Sequence, residues 1–112
     1  MDCIFCKIAA GTIPSKKVRE DDGVLAFYDI EPKAPTHILV IPKKHIASLA
    51  DARPEDEALL GRLLLTVAEI ARETGLGKGY RVVISTGAEG GQTVDHLHVH
   101  LLGGRQMQWP PG

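Results

Sequence analysis

Residues 90–104 read GGQTVDHLHVHLLGG, a stretch that places His96, His98 and His100 at alternate positions with an apolar residue after each. Side chains of a β-strand point alternately to opposite faces, so this pattern predicts one face of imidazoles and one apolar face. We expect the apolar face to enter a core and the imidazoles to lie at the surface. The glycine pairs on both sides permit unusual dihedral angles and close backbone approach, which favour an anion site over a plain half-exposed strand with a polar outer face.

Length and composition limit the classes of protein that fit. The chain has 112 residues, is 44% hydrophobic and carries a net charge of −1, which predicts a single domain over residues 1–112 with a real core. Because Lys and Arg are spread among a similar number of Asp and Glu, we expect no binding to nucleic acid or to an anionic membrane surface. The sequence shows neither the apolar run of a signal peptide nor a membrane span, so we expect a cytoplasmic protein.

The order of the predicted elements indicates an α+β fold. Apolar spacing, with Gly and Pro as breaks, predicts a short helix over residues 1–10 closed by Gly11, hairpin strands over residues 16–20 and 24–29, and a strand over residues 36–42 buried on both faces. It also predicts a helix of about five turns from Pro54 to before Gly75, a strand over residues 80–85, and the histidine strand. In the hairpin turn we expect Gly23 to supply a positive φ. The whole pattern predicts an antiparallel sheet of about five strands with one long and one short helix.

An imidazole row suits nucleophilic chemistry at phosphorus. The reference pKa of histidine is about 6.5, so the neutral ring is a good nucleophile near pH 7 without a strong base to activate it. Attack on phosphorus gives a phosphohistidine type of intermediate that water can cleave. His98 is the candidate nucleophile because it has an imidazole on either side to orient it or move protons. Thr93, Gln92 and the amides of the glycine-rich approach are candidates for holding the phosphate oxygens.

Cys3 and Cys6 form a single CxxC motif. In a cytoplasmic protein they are thiols or metal ligands rather than a structural disulfide, and the motif alone fits a redox pair or two small apolar positions on a short helix. A tetrahedral zinc site needs two more nitrogen or sulfur ligands, and His45 and His96 are the candidates, since His45 lies outside the imidazole row and His96 at its edge. His96 can bind a metal through one ring nitrogen while the other hydrogen-bonds toward the remaining histidines.

Several segments of the chain resemble one known family. Residues 96–102, HLHVHLL, have the HxHxHxx form, with apolar x, of the histidine triad (HIT) family of nucleotide hydrolases and transferases. The segments DI at 29–30, APTH at 34–37, VIPKKH at 40–45, GQTV at 91–94 and GGRQMQWPPG at 103–112 resemble its Hint branch, the nucleoside phosphoramidate hydrolases. The resemblance implies a HIT-like fold, a homodimer, and cleavage of the P–N bond of purine nucleoside 5′-phosphoramidates through a nucleotidyl-histidine intermediate.

The resemblance also implies roles for single residues. His98 matches the residue that attacks the α-phosphorus, His100 the residue that hydrogen-bonds the phosphate or leaving group, and His37 the residue that helps to position the triad, whose outer member is His96. Asp29 matches a carboxylate that binds the ribose hydroxyls, with a simple turn cap as the alternative. The other implied nucleotide contacts are Phe5, Ile8, Ile13, Phe27 and Ile30 at the base, with core packing as the alternative, and Ser85, Gly91, Gln92 and Thr93 at the phosphate.

Two further points concern this resemblance. The family commonly has Asn where this chain has Ser85, and a hydroxyl offers one donor where an amide offers two. Bacterial members with the same N-terminal CxxC resemble this chain in using Cys3, Cys6, His45 and His96 for structural zinc, which implies zinc here, with none required for the chemistry.

Three other functions stay open. One is a metallohydrolase with catalytic zinc on His96, His98 and His100, although three successive ligands on one strand suit tetrahedral closure poorly. Another is a nucleotide-binding or interaction protein without turnover. The third is a dinucleoside polyphosphate hydrolase of the same family, although the tail over residues 105–112 favours the Hint branch. In that tail, Trp109 is poorly placed for the core of its own chain, so we expect it to reach a partner subunit.

Overall fold

The computed structural model describes residues 3–112 and has the predicted α+β architecture. Its elements in chain order are helix α1 (Ile4–Ala9), strands β1 (Lys17–Glu20), β2 (Val24–Tyr28) and β3 (Thr36–Pro42), helix α2 (Glu57–Glu73), and strands β4 (Tyr80–Val83) and β5 (Val99–Gly103). The five strands form one antiparallel sheet in the order β1-β2-β3-β5-β4. Within the described range, no helix is long and apolar enough to cross a membrane.

The sheet carries a different layer on each face, because side chains alternate along every strand. One face packs against α2, and the core there consists mainly of Val24, Ala26, Ile38, Val40, Leu63, Val67, Ile70, Ala71, Leu97, Val99 and Leu101. The opposite face packs against α1, and the core there consists of Cys3, Phe5, Ile8, Leu25, Phe27, Leu39 and Ile41. The central strand β3 is therefore buried on both faces, as its continuous apolar run predicts.

The histidine stretch differs from the predicted strand. Strand β5 begins at Val99, so His100 lies in the sheet while His96 and His98 precede it. The apolar residues of the stretch enter the core as expected, but two of the three imidazoles are buried, His96 being 0% and His98 5% exposed, and His100 is half-buried. The expectation of a surface row was wrong because α1 covers this face, where the ring of Phe5 packs edge-on against both imidazoles.

The ends of the other elements are close to those predicted. Helix α1 begins at Ile4 after Cys3, whose Sγ accepts a hydrogen bond from the main-chain N–H of Cys6; Met1 and Asp2, part of the predicted helix, lie outside the described residues. A short 3₁₀ turn, Pro54–Asp56, leads into α2. Strand β4 ends at Val83, two residues earlier than predicted, so Ser85 lies beyond the sheet.

The turn between β1 and β2 is built by an aspartate rather than by a glycine. Gly23 does not have a positive φ, so that expectation was wrong. Instead, Oδ1 of Asp21 accepts hydrogen bonds from the N–H groups of Gly23 (2.8 Å) and Val24 (2.9 Å), while Arg62 of α2 donates to its Oδ2 at 3.1 Å. A carboxylate that caps its own turn in this way does not need a left-handed residue. The Arg62 guanidinium and the turn amides lower the pKa of Asp21.

We expect Asp21→Ala to be much more damaging to stability than Gly23→Ala. The first variant removes two main-chain hydrogen bonds and one ion pair, which predicts a loss of about 1–2 kcal/mol in the free energy of unfolding. The second places a Cβ 3.8 Å from its nearest neighbour, Leu59 Cδ1, so it should be neutral or slightly stabilising. Urea denaturation of both variants makes the comparison; a larger loss for Gly23→Ala would show that the turn depends on glycine.

Candidate active site and metal centre

A cavity of about 990 Å³ opens beside α1. The predicted site residues that line it are Phe5, Ile8, Ile13, Phe27, Asp29, Ile30, His37, Thr93, His98 and His100. This volume lies at the upper end of the range typical of small-molecule sites. The lining combines an apolar part with a cluster of imidazole and carboxylate groups, so the cavity suits a ligand with one apolar and one polar portion.

The sequence leaves two roles open for the apolar residues of the cavity lining: packing in the core or contact with a ligand. Phe5, Ile8 and Phe27 do both, because they belong to the buried cluster under α1 and also form part of the cavity wall. Ile30 is different: it is 93% exposed and contributes nothing to the core. A large apolar side chain at the rim of a cavity is available to cover a bound ring.

The ring of His98 is held in one tautomer. Its Nδ1 lies 2.7 Å from the main-chain carbonyl oxygen of His96, and because a carbonyl can only accept, Nδ1 must carry the proton. In the neutral ring the lone pair is then on Nε2. The edge-on contact with Phe5, with ring centroids 5.2 Å apart, fixes the plane of the imidazole at the cavity wall. The neutral ring of His98 therefore has its lone pair on Nε2, as a nucleophile at this position requires.

A second chain of hydrogen bonds orients His100. The sheet register pairs His37 with Leu102 and Leu39 with His100, which places the two imidazoles diagonally on one face. The main-chain N–H of Lys33 donates to Nδ1 of His37 at 3.0 Å, so the His37 proton is on Nε2, which donates to Nδ1 of His100 at 2.9 Å. His100 consequently carries its own proton on Nε2 and can donate it to a ligand.

The C-terminal tail anchors the start of this chain. The guanidinium of Arg105 donates to the carbonyl oxygen of Lys33 at 3.0 Å. That contact fixes the residue whose N–H sets the tautomer of His37. The orientation of His100 thus depends, through His37 and Lys33, on an arginine outside the cavity.

Burial keeps these histidines neutral. Burial lowers the pKa of His100 to about 4, and the neighbouring His98 and His37 act in the same direction. Burial also lowers the pKa of His37, with the Asp29 carboxylate acting against it. Neutral rings are what the hydrogen bonds require, because each ring that accepts at one nitrogen must have a lone pair there.

The position of Asp29 is compatible with both roles considered from the sequence, a turn cap and a ligand contact. Its Oδ1 caps the following turn by accepting from the N–H of Glu31 at 2.8 Å, and its Oδ2 lies 3.4 Å from Nε2 of His37 at the cavity wall. Asp29, His37 and His100 lie close enough to surround a cation. However, Nε2 of His37 carries a proton, so metal binding there would require loss of the Lys33 hydrogen bond.

Three of the predicted phosphate contacts lie outside the cavity lining: Ser85, Gly91 and Gln92. The Gln92 amide is occupied elsewhere. Its Nε2 donates to the carbonyl oxygens of Ala47 (2.8 Å) and Val94 (3.0 Å), and its Oε1 accepts from the N–H of Gly87 at 2.9 Å. Gln92 thus holds the loop that leads to Thr93, which does line the cavity.

The four candidate metal ligands converge beside the cavity. Sγ of Cys3 and Nδ1 of His45 lie 3.2 Å from Nδ1 of His96, and Sγ of Cys6 lies 3.3 Å from Nδ1 of His45. Ligand atoms around a tetrahedral zinc, with Zn–S about 2.3 Å and Zn–N about 2.0 Å, are separated by roughly 3.3–3.8 Å. Two sulfurs and two imidazole nitrogens at these separations fit the donor set and size of a structural zinc site.

The orientation and protonation of these ligands also suit a cation. Nε2–H of His96 donates to the carbonyl oxygen of Pro42 at 2.8 Å, which leaves a lone pair on Nδ1 toward the cysteines. The expectation that this second nitrogen bonds toward the triad was wrong; His96 reaches His98 through its main-chain carbonyl. Burial lowers the pKa of His96 and raises that of the Cys6 thiol, so the imidazole is neutral and a thiolate needs a bound metal.

Main-chain partners are what sequence reasoning missed. The N–H of Lys33 and the carbonyl of Pro42 select the tautomers of His37 and His96, yet a main-chain group carries no residue-type signature. The Pro residues at the two ends of strand β3 indicate where main-chain groups are free of ladder hydrogen bonds, and they are the sequence feature that comes closest to predicting these partners.

The depressed pKa of His100 predicts a loss of stability in mild acid. Between pH about 4 and 6.5 the unfolded chain binds a proton on this ring and the folded chain does not, so the free energy of unfolding falls as pH falls through that window. One such proton gives a slope of about 1.4 kcal/mol per pH unit. We expect His100→Gln to have a smaller slope than the wild-type protein between pH 5 and 7, measured by urea denaturation at equal metal content. Equal slopes would show that His100 does not titrate in this way.

Comparison with known proteins agrees with this geometry. The model of the HIT domain matches residues 10–107. An uncharacterized HIT-like protein of Synechococcus elongatus is 61% identical over 111 residues, which cover 99% of this chain and 97% of that protein. Protein HitA of Neisseria gonorrhoeae is 53% identical over 102 residues, covering 91% and 95%.

Solved structures show the same fold. A HIT family hydrolase from Legionella pneumophila superposes with a TM-score of 0.98 at 54% identity, and the match covers 99% of this chain and 100% of that one. A histidine triad protein from Clostridium difficile superposes with a TM-score of 0.93 at 50% identity, covering 96% and 95%. The family match covers residues 10–107, which include all five strands of the sheet and the histidines of the site, and the chain belongs to the HIT domain family.

Proposed function

We propose that this chain is a nucleotide hydrolase of the Hint type, cleaving the P–N bond of purine nucleoside 5′-phosphoramidates. The observation that carries the proposal is the hydrogen bond from Nδ1–H of His98 to the carbonyl of His96. It leaves the Nε2 lone pair of a neutral imidazole for attack on phosphorus at the cavity wall. The Legionella pneumophila relative, described as a HIT family hydrolase, supports the same class of reaction.

The reaction has two steps. In the first, Nε2 of His98 forms a bond to the α-phosphorus while the P–N bond breaks; the leaving nitrogen accepts a hydrogen bond from Nε2–H of His100 and takes a proton from a water molecule, so His100 stays neutral. In the second, the hydroxide so formed attacks the phosphorus and the His98–phosphorus bond breaks. The sum is addition of water across the P–N bond, with both histidines restored.

Different parts of the cavity suit the phosphate, the ribose and the purine of such a substrate. The phosphate lies against His98, His100 and Thr93, and the purine ring lies on the apolar wall formed by Phe5, Ile8, Ile13, Phe27 and Ile30. Asp29 accepts hydrogen bonds from the ribose hydroxyls through the carboxylate oxygen that does not cap the turn. The other phosphate contacts expected from the resemblance lie outside the cavity lining: the Gly91 N–H donates to the carbonyl of Ala88, Ser85 lies beyond β4, and Gln92 acts by holding the loop that leads to Thr93.

The geometry weighs against a catalytic zinc on the three triad histidines. Nδ1 of His96 faces the cysteines, whereas Nδ1 of His98 is occupied by the His96 carbonyl. The rings therefore do not offer three free nitrogens to one ion. Hydrolysis of dinucleoside polyphosphates and nucleotide binding without turnover use the same cavity, and substrate comparison separates them.

We expect His98→Ala to abolish covalent catalysis while leaving nucleotide binding intact. Turnover of adenosine 5′-phosphoramidate should fall by roughly four orders of magnitude or more, the scale seen when a nucleophile is removed. AMP affinity, measured by calorimetry, should change only a few-fold. Mass spectrometry of quenched wild-type enzyme should detect a nucleotidylated chain that is absent in the variant.

Each other outcome selects another reading. Near-normal turnover of His98→Ala would overturn the assignment of the nucleophile. Tight AMP binding by wild-type protein with no cleavage of any phosphoramidate would favour a binding protein. Faster cleavage of a dinucleoside polyphosphate than of the phosphoramidate would favour the alternative hydrolase.

We also propose that Cys3, Cys6, His45 and His96 bind one structural Zn²⁺. When bound, the metal cross-links α1 to the segments around β3 and β5 and supplies folding free energy. The chain's own residues carry out the chemistry, because the nucleophile is on His98 and the hydrogen-bond donor to the leaving group is on His100.

Removal of the two thiols should therefore affect stability more than turnover. Protein purified without chelator should contain about one zinc per chain, and Cys3→Ser/Cys6→Ser should contain almost none. The variant should melt at a clearly lower temperature, yet retain turnover in assays run well below its melting point. Metal analysis near zero in wild-type protein, with both thiols freely reactive, would refute the site.

The homodimer stays a proposal, supported by one surface. Strand β4 pairs only with β5 within the described sheet, so its outer edge is open. Exposed apolar side chains lie on β4, on α2 and in the tail; they are Leu64, Leu65, Tyr80, Val82 and Trp109. An open edge with apolar neighbours suits pairing with a second copy of the same chain.

A further inference from the structure

The hydroxyl of Ser15 stands out among the buried polar groups. Within residues 3–112, its Oγ is the buried side-chain polar atom without a hydrogen-bond partner. Leaving a buried hydroxyl unpaired destabilises a folded protein, and such groups are rare in native structures. An unpaired group of this kind needs an explanation, and a ligand that completes its hydrogen bonding is one.

The position of Ser15 connects it to the cavity. Ser15 lines the cavity next to Ile13, in the segment that joins α1 to β1. The N–H of Tyr28 donates to the carbonyl of Lys16, and Lys17 pairs with Phe27, so the antiparallel register brings Ser15 alongside Asp29 at the end of β2. Its side chain is on the same side of the strand as the apolar wall.

The chemistry of this part of the cavity points to a nucleobase. The lining residues near Ser15 include the apolar Ile13, Pro14 and Phe27, which can contact the faces of a ring, while Ser15 supplies a small hydroxyl for its edge; Lys16 and Tyr28 also line the cavity. A hydroxyl can donate to a ring nitrogen or accept from an exocyclic amine, so one Ser satisfies either edge of a purine. The ribose hydroxyls already have the Asp29 carboxylate as an acceptor in the proposed site.

We propose that Ser15 is a specificity-determining residue whose hydroxyl hydrogen-bonds the edge of the purine base. The proposal rests on the proposed function for the identity of the ligand as a nucleotide, but it requires no turnover. It also gives the buried hydroxyl a role: rotation of the Ser15 side chain to another rotamer turns Oγ toward the cavity, where it gains a partner on binding. A bound base that lacks the contact loses the corresponding part of its affinity.

Equilibrium binding tests this with two ligands and three proteins. Calorimetry with AMP and with ribose 5-phosphate compares wild-type protein, Ser15→Ala and Ser15→Thr. We expect Ser15→Ala to weaken AMP by roughly three- to ten-fold, the range for one neutral hydrogen bond, with ribose 5-phosphate unchanged. Ser15→Thr keeps the hydroxyl and should keep most of the AMP affinity.

Thermal unfolding without ligand gives an independent readout. Ser15→Ala removes an unpaired hydroxyl, so its melting temperature should be unchanged or higher. Ser48→Ala is the matched control: its hydroxyl donates to Asp51 at 2.8 Å away from the cavity lining, so it should lower the melting temperature and leave AMP binding unchanged.

The remaining outcomes overturn the proposal. Unchanged AMP affinity in Ser15→Ala, or an equal loss for AMP and ribose 5-phosphate, would show that Ser15 does not contact the base. Wild-type protein that binds AMP no more tightly than ribose 5-phosphate would do the same. Failure of the proposed hydrolysis is seen separately, as absence of phosphoramidate turnover by protein that still binds AMP.

Discussion

The hydrogen bond from Nε2 of His96 to the carbonyl of Pro42 is the contact on which both chemical centres depend. It turns Nδ1 of the same ring toward the cysteines, and the main chain that it holds in place presents the His96 carbonyl to Nδ1 of His98. A carbonyl cannot donate, so each contact permits one tautomer only. The end of strand β3 thereby sets the tautomer of His96, and the His96 carbonyl sets that of His98.

Burial makes this arrangement possible and also restricts it. An imidazolium in an apolar layer is costly, so the buried rings stay neutral and can act as acceptors in N–H···N hydrogen bonds. Hydrogen bonds are also stronger where water is excluded, which lets Lys33, His37 and His100 form an ordered series from the loop to the cavity. The contact between Arg105 and Lys33 extends that order to the C-terminal tail. The C-terminal tail, whose Arg105 is outside the cavity lining, therefore contributes to the orientation of the Nε2–H group of His100.

Hydrophobic periodicity in the sequence correctly predicts which side chains lie on the same face of a strand or helix. The apolar run of β3, the long α2 helix and the core face of the histidine stretch are as expected, because strand and helix periods determine which side chains share a face. Periodicity does not identify the residues that pack against each face. The covering of His98 by Phe5 is a contact between residues at opposite ends of the chain, and this is why the imidazoles were expected at the surface. Likewise, the turn at Asp21 shows that a glycine beside aspartates does not identify which residue builds the turn.

Helix α1 forms one wall of the cavity and carries the two cysteines in its first turns. It is too short to be stable by itself. Six residues form fewer than two turns, whereas isolated helices below about 12 residues are marginal in water. Its position therefore comes from tertiary contacts: the packing of Phe5 and Ile8, and the sulfur atoms of Cys3 and Cys6 against His45 and His96. Any ion that binds the sulfurs favours the packed position of α1, and so does any ring that binds against Phe5. Because both ligands favour the same position of one helix, each stabilises the site of the other, and the effect must be equal in both directions.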